Sequence, residues 1–508
     1  MSWIKILLTL AGLSLLSACS GTSSINVPGN TDPSPAPSTN SVSGTVQFKG
    51  APLAGATVTL WLTNTNTIVQ TATTDANGNY SFSGLSSSGN ATAVYQLWAS
   101  KTGYGFYPTV GSGGTVIRFD HTGNLQGNGV NDVAIYFTVI QFSSLPNSSL
   151  TGANFNAYDG SNPLVSLPAT GQQTSYAVGD DASLKKGVAW PATRFTVQNG
   201  TVTDNLTGLV WLQNAGCFNP AIFATALTDV NQLASGACGL SDGSKAGAWH
   251  LPSINELESI VDVSAANPAL SAGNPFTNVS NAIYWSSTSY FGGETGSPYA
   301  WTIRMSDGSF VNDGASNIKT TSNNAVWAVR TGSAGAVKPQ WTGQYVTYAS
   351  GDDGSIQSGV APTFERWIDN GNGTITDTVT GLIWLKQANC IDDTWSSAVT
   401  EVHSLASGQC GLTDGSAAGS WRMPNRNEMQ SLSDRMETNH ADFFNQTYLN
   451  LDGTVFRLPI FSNFMVSQFY WTSTTDAADT TQAWTVFSCD YGVYNTPKAN
   501  TGYTLAVR

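Results

Sequence analysis

Cys238 to Leu257 and Cys410 to Met429 are one stretch written twice: aligned without a gap, 12 of their 20 positions are identical. A match this dense at fixed offset means an internal duplication, and a duplication constrains the fold more than any composition does. Other pairs follow in the same order. Tyr176 to Asp181 and Tyr348 to Asp353 both read Tyr-x-x-Gly-Asp-Asp. Asp204 to Trp211 pairs with Asp377 to Trp384, Tyr284 to Thr288 with Tyr470 to Thr474, Ala300 to Thr302 with Ala483 to Thr485, and the closing Ala-Val-Arg ends at Arg330 and Arg508. The copies are assigned to 174–332 and 343–508, with a linker at 333–342.

Within each copy the pattern predicts a hairpin, a helix and a set of short strands. Phe195 to Val197 turns at Asn199-Gly200 into Thr201 to Thr203, and the second copy turns through Asp369 to Gly373 into Thr374 to Thr376. Trp395, Ala398, Val399, Val402, Leu405 and Ala406 share one helical face. Asp392 or Asp393 is placed to cap that helix and Gly408 to stop it. In the first copy the helix is expected to start at Asn219 and Pro220 and to turn Leu227, Val230 and Ala234 inward.

At 508 residues the chain exceeds one core and divides into domains. Only 10% of residues are charged and 51 are Gly, which favours short strands and turns over long helices. The net charge of -13 excludes a nucleic-acid partner and weighs less strongly against anionic glycans.

Residues 1–19 read as an export signal: Lys5, then an apolar run from Ile6 to Leu16, then small residues. Leu16-Ser17-Ala18-Cys19 resembles the lipobox of bacterial lipoproteins. That resemblance implies cleavage before Cys19, lipidation of Cys19, and, with Ser20 following, sorting to the outer membrane. A plain secretory signal is the alternative. Residues 20–40, with Pro28, Pro33, Pro35 and Pro37 among Ser, Thr and Asn, form an extended tether. Residues 41–142 alternate as antiparallel strands, with Asp75 to Phe82 as a hairpin turn entering a strand and Asn77-Gly78 as its tight turn. Residues 143–173, poorer in apolar residues, read as a linker with at most one edge strand.

Two resemblances rest on these residues. The stretch from Ser43 through Ala54-Gly55-Ala56 to Asp75-Ala76-Asn77-Gly78-Asn79-Tyr80 resembles the carboxypeptidase regulatory-like domain, a transthyretin-like β-sandwich. The duplicated motifs (Asp-x-x-Thr-Gly-Leu-x-Trp, Cys-Gly-Leu-x-Asp-Gly-Ser-x-Ala-Gly-x-Trp-x-x-Pro-x-x-Asn-Glu, Tyr-Trp-x-Ser-Thr and the closing Val-Arg) resemble the Lcl C-terminal domain, named for a collagen-like bacterial adhesin. That resemblance implies two tandem α+β C-type-lectin-like domains, a fold also used by formylglycine-generating enzymes. It implies extracellular binding, with adhesion and glycosaminoglycan recognition belonging to the namesake. The chain carries no collagen-like Gly-x-y array.

Cys217 and Cys238 flank the first helix, and Cys390 and Cys410 the second. In an exported chain disulfides are favoured over zinc, because no His shares the matched spacing. Cys489 is unmatched and expected to be a free, buried thiol. Glu256 and Glu428 fit capping boxes, which explain their spacing without catalysis. Gly239-x-Ser241-x-Gly243 lacks the strand and helix of a nucleophile elbow. Asp75 and the loop at Asp369 lack the carboxylates of a Ca²⁺ shell, and the Glu-Pro-Asn and Trp-Asn-Asp triplets of Ca²⁺-dependent lectins are absent from the sequence. No metal or cofactor is expected. His250 aligns with Arg422, so it belongs to no duplicated chemistry. Trp211, Trp249, Trp285, Trp301 and their partners are expected in the core.

Unmatched aromatics are the candidate ligand contacts: Tyr290, Phe291 and Tyr299 in the first copy; Tyr448, Phe456, Phe461, Phe464, Tyr491 and Tyr494 in the second. The insert from Ser433 to Phe469 is longer than its counterpart, Val261 to Ile283. It is read either as a recognition surface or as a satellite core of its own aromatics. The sequence thus predicts a lipid-anchored surface protein that binds an extracellular glycan or protein. The alternatives are an enzyme on the shared fold and a structural assembly subunit.

Overall fold

The computed structural model describes residues 40–508 apart from 63–66, 86–93, 110–114, 120–134, 142–148, 152, 160–162, 291–296, 312–313, 334, 362–365, 436–439, 446–447, 450–454 and 458. The signal, Cys19 and the tether up to residue 39 lie outside the described residues, as does Phe291; the side chains of Tyr448 and Phe456 are likewise not described. All described residues belong to one compact unit, Thr39–Arg508. No helix among them is long and apolar enough to cross a membrane.

The N-terminal part is two β-sheets with a shared core. Strand Asn40–Phe48 lies between Asn79–Leu85 and Ser149–Thr151 at one end, and between Ala51–Pro52 and Asn154–Tyr158 at the other; Gly105–Thr109 extends that sheet. The second sheet runs Thr67–Thr73, Thr57–Leu62, Val94–Ser100, Ile135–Gln141, Thr115–Phe119. Val42, Val46, Tyr80 and Phe82 meet Val58, Leu60 and Leu97 between them. The turn at Asp75 is tight but closes no hairpin, because the strands it joins, Thr67–Thr73 and Asn79–Leu85, lie in different sheets: the Asp75 carboxylate accepts from the N–H groups of Asn77 and Asn79, both at 2.8 Å, and Gly78 takes φ 72°.

The sandwich extends into the stretch assigned to a linker. Ser149–Thr151 and Asn154–Tyr158 both pair in parallel with the first strand. The signal was weak because the second strand alternates Asn with apolar residues: Phe155 and Ala157 enter the core while Asn154 and Asn156 do not. Low average hydrophobicity concealed a one-sided strand.

The two copies build the same frame. A lead-in (residues 165–190) carries helix α1 (Asp181–Leu184). Phe195–Gln198, Thr201–Asp204, Val210–Leu212 and the closing Val329–Arg330 form one sheet. Asn199 and Gly200 both take positive φ, 55° and 80°, as the tight hairpin turn requires. A Cβ on Gly200 would lie 2.3 Å from the Gly239 carbonyl, and one on Gly373 2.3 Å from Gly411, so both turns press against the duplicated Cys-Gly loop. Helix α2 (Phe223–Gln232) buries Phe223, Ala226, Leu227 and Val230. It starts at Phe223, past Asn219 and Pro220, and Ala234 lies beyond its end. Helix α3 (Ile254–Ser259) follows, then Ile283–Tyr290, Tyr299–Arg304 and Phe310–Val311 in a second sheet.

The second lead-in (337–360) carries α4 (Asp353–Ile356), and the second copy repeats the plan with α5 (Trp395–Ser404) and α6 (Arg426–Ser431). Neither Asp392 nor Asp393 caps α5. Both lie in strand Ile391–Thr394, which pairs with Thr501–Thr504, and the helix is entered through Thr394 without a side-chain cap. The helix stops at Ser404, and Gly408, at φ 98°, turns the chain beyond it. The insert adds α7 (His440–Asn445). Disulfides Cys217–Cys238 and Cys390–Cys410 close the expected loops with Cα separations of 5.6 and 5.7 Å. Cys489 is free but half-buried rather than enclosed.

Candidate functional site

The duplicated acidic pair at each lead-in turns out to be a plug. Its first Asp folds the plug: Asp180 accepts from the N–H groups of Ser183 (3.0 Å), Tyr176 (2.6 Å) and Ala177 (3.2 Å), and Asp352 does the same for Ser355, Tyr348 and Ala349. The second Asp reaches across. Asp181 accepts from Thr170 and from Thr474 of the second copy, both at 2.6 Å. Asp353 accepts from Thr342 and from Thr288 of the first copy, again at 2.6 Å. Each lead-in is therefore seated on a copy other than the one it opens.

Thr474 also accepts the Arg426 N–H at the start of α6, and Thr288 accepts the Ile254 N–H at the start of α3. A helix N-terminus is thus linked through one hydroxyl to a buried carboxylate. Burial pushes the Asp181 carboxyl up to about 6 and Asp353 up to about 7, against the lowering effect of the Thr bonds. Gln172 exchanges two hydrogen bonds with the Thr475 backbone, and Gln344 accepts from the Ser289 N–H.

A lysine closes each socket. Lys498 lies 4.7 Å from the ring centroid of Tyr176 and 4.0 Å from that of Trp395, and donates to Thr475. Lys319 lies 4.9 Å from Tyr348 and 5.0 Å from Phe223, and donates to Ser289. Burial lowers Lys319 to about 8 and moves Lys498 the same way.

The suspected acids are also committed. Glu256 accepts from the Ser253 N–H (2.8 Å) in a complete capping box and lies 3.2 Å from His250 Nε2. Glu428 does the same for Asn425 and takes a bidentate pair from Arg422 at 2.6 and 2.5 Å. His250 and Arg422 therefore serve one purpose. Burial raises the Glu256 carboxyl, but His250 and the cap outweigh it and hold it low. The Asp-Gly-Ser…Trp…Arg pattern is structural too: Asp242 pairs with Arg330 at 3.3 Å and Asp414 with Arg508 at 2.8 Å, and each guanidinium lies over Trp249 or Trp421. Among the described residues no His, Cys, Asp and Glu cluster could hold a metal ion.

The candidate ligand contacts separate into three groups. Phe461, Phe464 and Tyr491 are corrected: all are buried, packed with Phe443 and Phe444 around α7, and Phe464 stacks on Tyr470 at 4.4 Å. The described part of the insert is a satellite core. Tyr290 and Tyr299 are half-buried. Tyr290 meets Trp301 edge-on at 5.1 Å and is raised to about 12, first by burial and then by Asp490 and Cys489 of the second copy. Tyr494 is half-buried too, its hydroxyl donating to Asp490 at 3.2 Å, at the edge of an aromatic face.

That face holds two residues the sequence reading did not select. Phe469 and Phe487 are directly paired across strands Phe469–Thr475 and Gln482–Phe487, with ring centroids 5.0 Å apart; Tyr494, on the next strand, lies 6.1 and 6.5 Å from them. Phe469 is 40% exposed. The signal was its place at the outer end of a strand whose other six residues are all buried.

Comparison with known proteins accounts for the frame. The Lcl C-terminal domain model matches residues 200–330 and 373–508, together more than half of the chain. The chain belongs to the Lcl C-terminal domain family. The carboxypeptidase regulatory-like domain model matches residues 41–115. No curated protein matches the chain. Among solved structures, a 9R-lipoxygenase from Cyanothece PCC8801 shares 13% identity over 26% of this chain and 18% of its own, with a TM-score of 0.14. The major pilin subunit of Bacillus cereus shares 15% over 24% and 31%, also at 0.14. The bacterial integrin-binding protein invasin shares 10% over 90% and 93%, at 0.13. The chain spans under a third of the first two, and scores this low establish no common fold.

The two Lcl C-terminal domains differ where they meet each other and where they meet solvent. At their seam Arg426 lies 4.4 Å from the Trp484 ring and 3.8 Å from Glu258, and Arg435 lies 4.8 Å from the Trp301 ring. The first domain has Ile254 and Val263 in the matching places. At the aromatic face, Phe469, Phe487 and Tyr494 of the second Lcl C-terminal domain are replaced in the first by Ile283, Arg304 and Val311, judged by strand register.

Proposed function

We propose that the protein is a surface-associated binding protein whose recognition surface is the aromatic face of the second Lcl C-terminal domain, and that its ligand is an extracellular glycan. The carrying observation is the Phe469–Phe487–Tyr494 cluster. It stands on a paired sheet, reaches solvent through Phe469 with Phe487 and Tyr494 half-buried behind it, and has no counterpart in the first domain. Exposed rings on a rigid scaffold are the usual anchors of recognition, and ring faces receive the C–H faces of sugars. The acidic balance favours neutral over anionic glycans. The suspected acids of both domains are engaged in caps and the plug carboxylates in sockets, which argues against the enzyme reading.

Attachment is part of the proposal. The lipobox-like Leu16-Ser17-Ala18-Cys19 supports export, lipidation at Cys19 and an outer-membrane location facing outward, with the Pro-rich tether as spacer. Cys19→Ser should release the protein from the membrane fraction and abolish lipid labelling; retention with label would end that reading.

The ligand test is an array of glycans and matrix proteins probed with the full chain. Tyr494→Ala and Phe469→Ser should each weaken glycan binding at least tenfold while leaving the melting temperature in place. Selective capture of a matrix protein instead would make the ligand a protein. No saturable ligand together with self-association would favour the structural-subunit reading.

A further inference from the structure

The two lead-ins carry one motif. Thr170 to Lys185 and Thr342 to Gln357 are identical at 9 of 16 aligned positions, among them Thr-Gly-Gln at the start and Tyr-Ala-x-Gly-Asp-Asp further on. The same contacts hold each one. The second residue of α6 or α3 donates to a lead-in carbonyl: Asn427 to Pro168 at 3.0 Å, Asn255 to Gln340 at 2.8 Å. A strand N–H donates to the side-chain carbonyl of the Gln: Thr475 to Gln172 at 3.1 Å, Ser289 to Gln344 at 2.6 Å. The Thr hydroxyl on the second Asp and the lysine over the Tyr ring complete both sockets.

The connections differ while these contacts do not. The second lead-in follows its socket directly: Arg330 closes the first domain, and Gln340 is already docked on it. The first lead-in is separated from its socket by the whole first domain. A plug that seats alike from either side of a domain is held by its own residues, not by the chain that delivers it. The hold is also mainly polar. Val178 is 92% exposed, and Tyr176 and Leu184 are exposed as well, so a leaving plug gives up hydrogen bonds that water replaces.

We infer that these sockets recognise the lead-in motif in trans, and that the partner is a second copy of this chain: the first lead-in of one chain seats on the second domain of the other. Such an exchange remakes every contact of the monomer with an identical one, which is the low-cost route to a dimer. Crowding of chains on one surface raises the effective concentration of the incoming plug. Exchange does not depend on what the aromatic face binds.

The test is complementation between full chains. One carries Asp181→Ala, which weakens its plug; the other carries Thr474→Val with Lys498→Ala, which weakens its socket. Mixed, they should sediment as a 1:1 complex at least tenfold tighter than the self-association of either. A labelled peptide of residues 168–186 should bind the Asp181→Ala chain saturably. Adding Thr474→Val to that chain should weaken the peptide about tenfold, and a peptide of residues 340–358 should displace it at a concentration within about tenfold of its own. Should a variant not fold, two parental chains with different affinity tags, co-expressed, should copurify as a dimer. Exchange is overturned by folded variants that stay monomeric when mixed, by peptide binding indifferent to Thr474→Val, or by parental chains that do not copurify.

Discussion

Asp181 and Thr474, 293 residues apart in the chain, share a 2.6 Å hydrogen bond in the buried interior. That bond and its counterpart, Thr288 to Asp353, fasten each lead-in to its socket.

Removing the hydroxyl alone should expose the value of the plug. Thr474→Val keeps shape but leaves Asp181 one partner short and the Arg426 N–H unmet. The expected loss is about 1–3 kcal/mol of unfolding free energy, read as a lower denaturant midpoint. An unchanged midpoint would mean the socket is not seated in solution.

The same carboxylates set a pH dependence. Asp181 at about 6 and Asp353 at about 7 stand above the ordinary 3.8, so the folded chain keeps protons that the unfolded chain releases. Their contribution is fully present below about pH 4 and falls away as pH rises through 6 and 7. Asp353→Asn should flatten the decline between pH 4 and 7. A slope equal to that of the parent would exclude Asp353 as its source.

Thiol chemistry should report the disulfides directly. Of the five cysteines in the described residues, only Cys489 should react without reductant. Cys390→Ser with Cys410→Ser should lower stability by about 2–4 kcal/mol. Five reactive thiols would remove both bridges.

Aromatic substitutions should divide cleanly by place. Phe444→Ala empties a position surrounded by Trp367, Phe461 and Phe464, and should cost about 3–5 kcal/mol. Phe487→Ser, on the half-exposed face, should stay within about 1 kcal/mol of the parent and act on binding instead. Equal destabilisation by both would make the aromatic face part of the core.

The frame was legible because its causes are local. Asn199-Gly200 demands a tight turn, Ser253-x-x-Glu256 a cap, and the Cys pairs bracket their helices within reach. The seating of the lead-ins was not legible: Tyr176 to Asp181 opens one copy, and nothing local states that Thr474 of the other is its partner. Ring burial was equally hidden. Phe461 and Phe469 lie eight residues apart in a stretch without a readable period, yet one is in the core and the other at a strand's outer end. The strand at Asn154 was missed because its Asn residues diluted the apolar half.

The seating of the first lead-in also decides which parts of the chain bear load. Val165 donates to the Val379 carbonyl, Pro163 packs at Gly381, and Asp181 is locked to Thr474, so everything N-terminal to the first domain is fastened to the second. A pull from the N-terminal side, resisted by the ligand proposed for Phe469 and Tyr494, would pass through that socket into the second domain. The first domain hangs beside the tension as a closed loop, and its strands are strained only after the plug has been drawn.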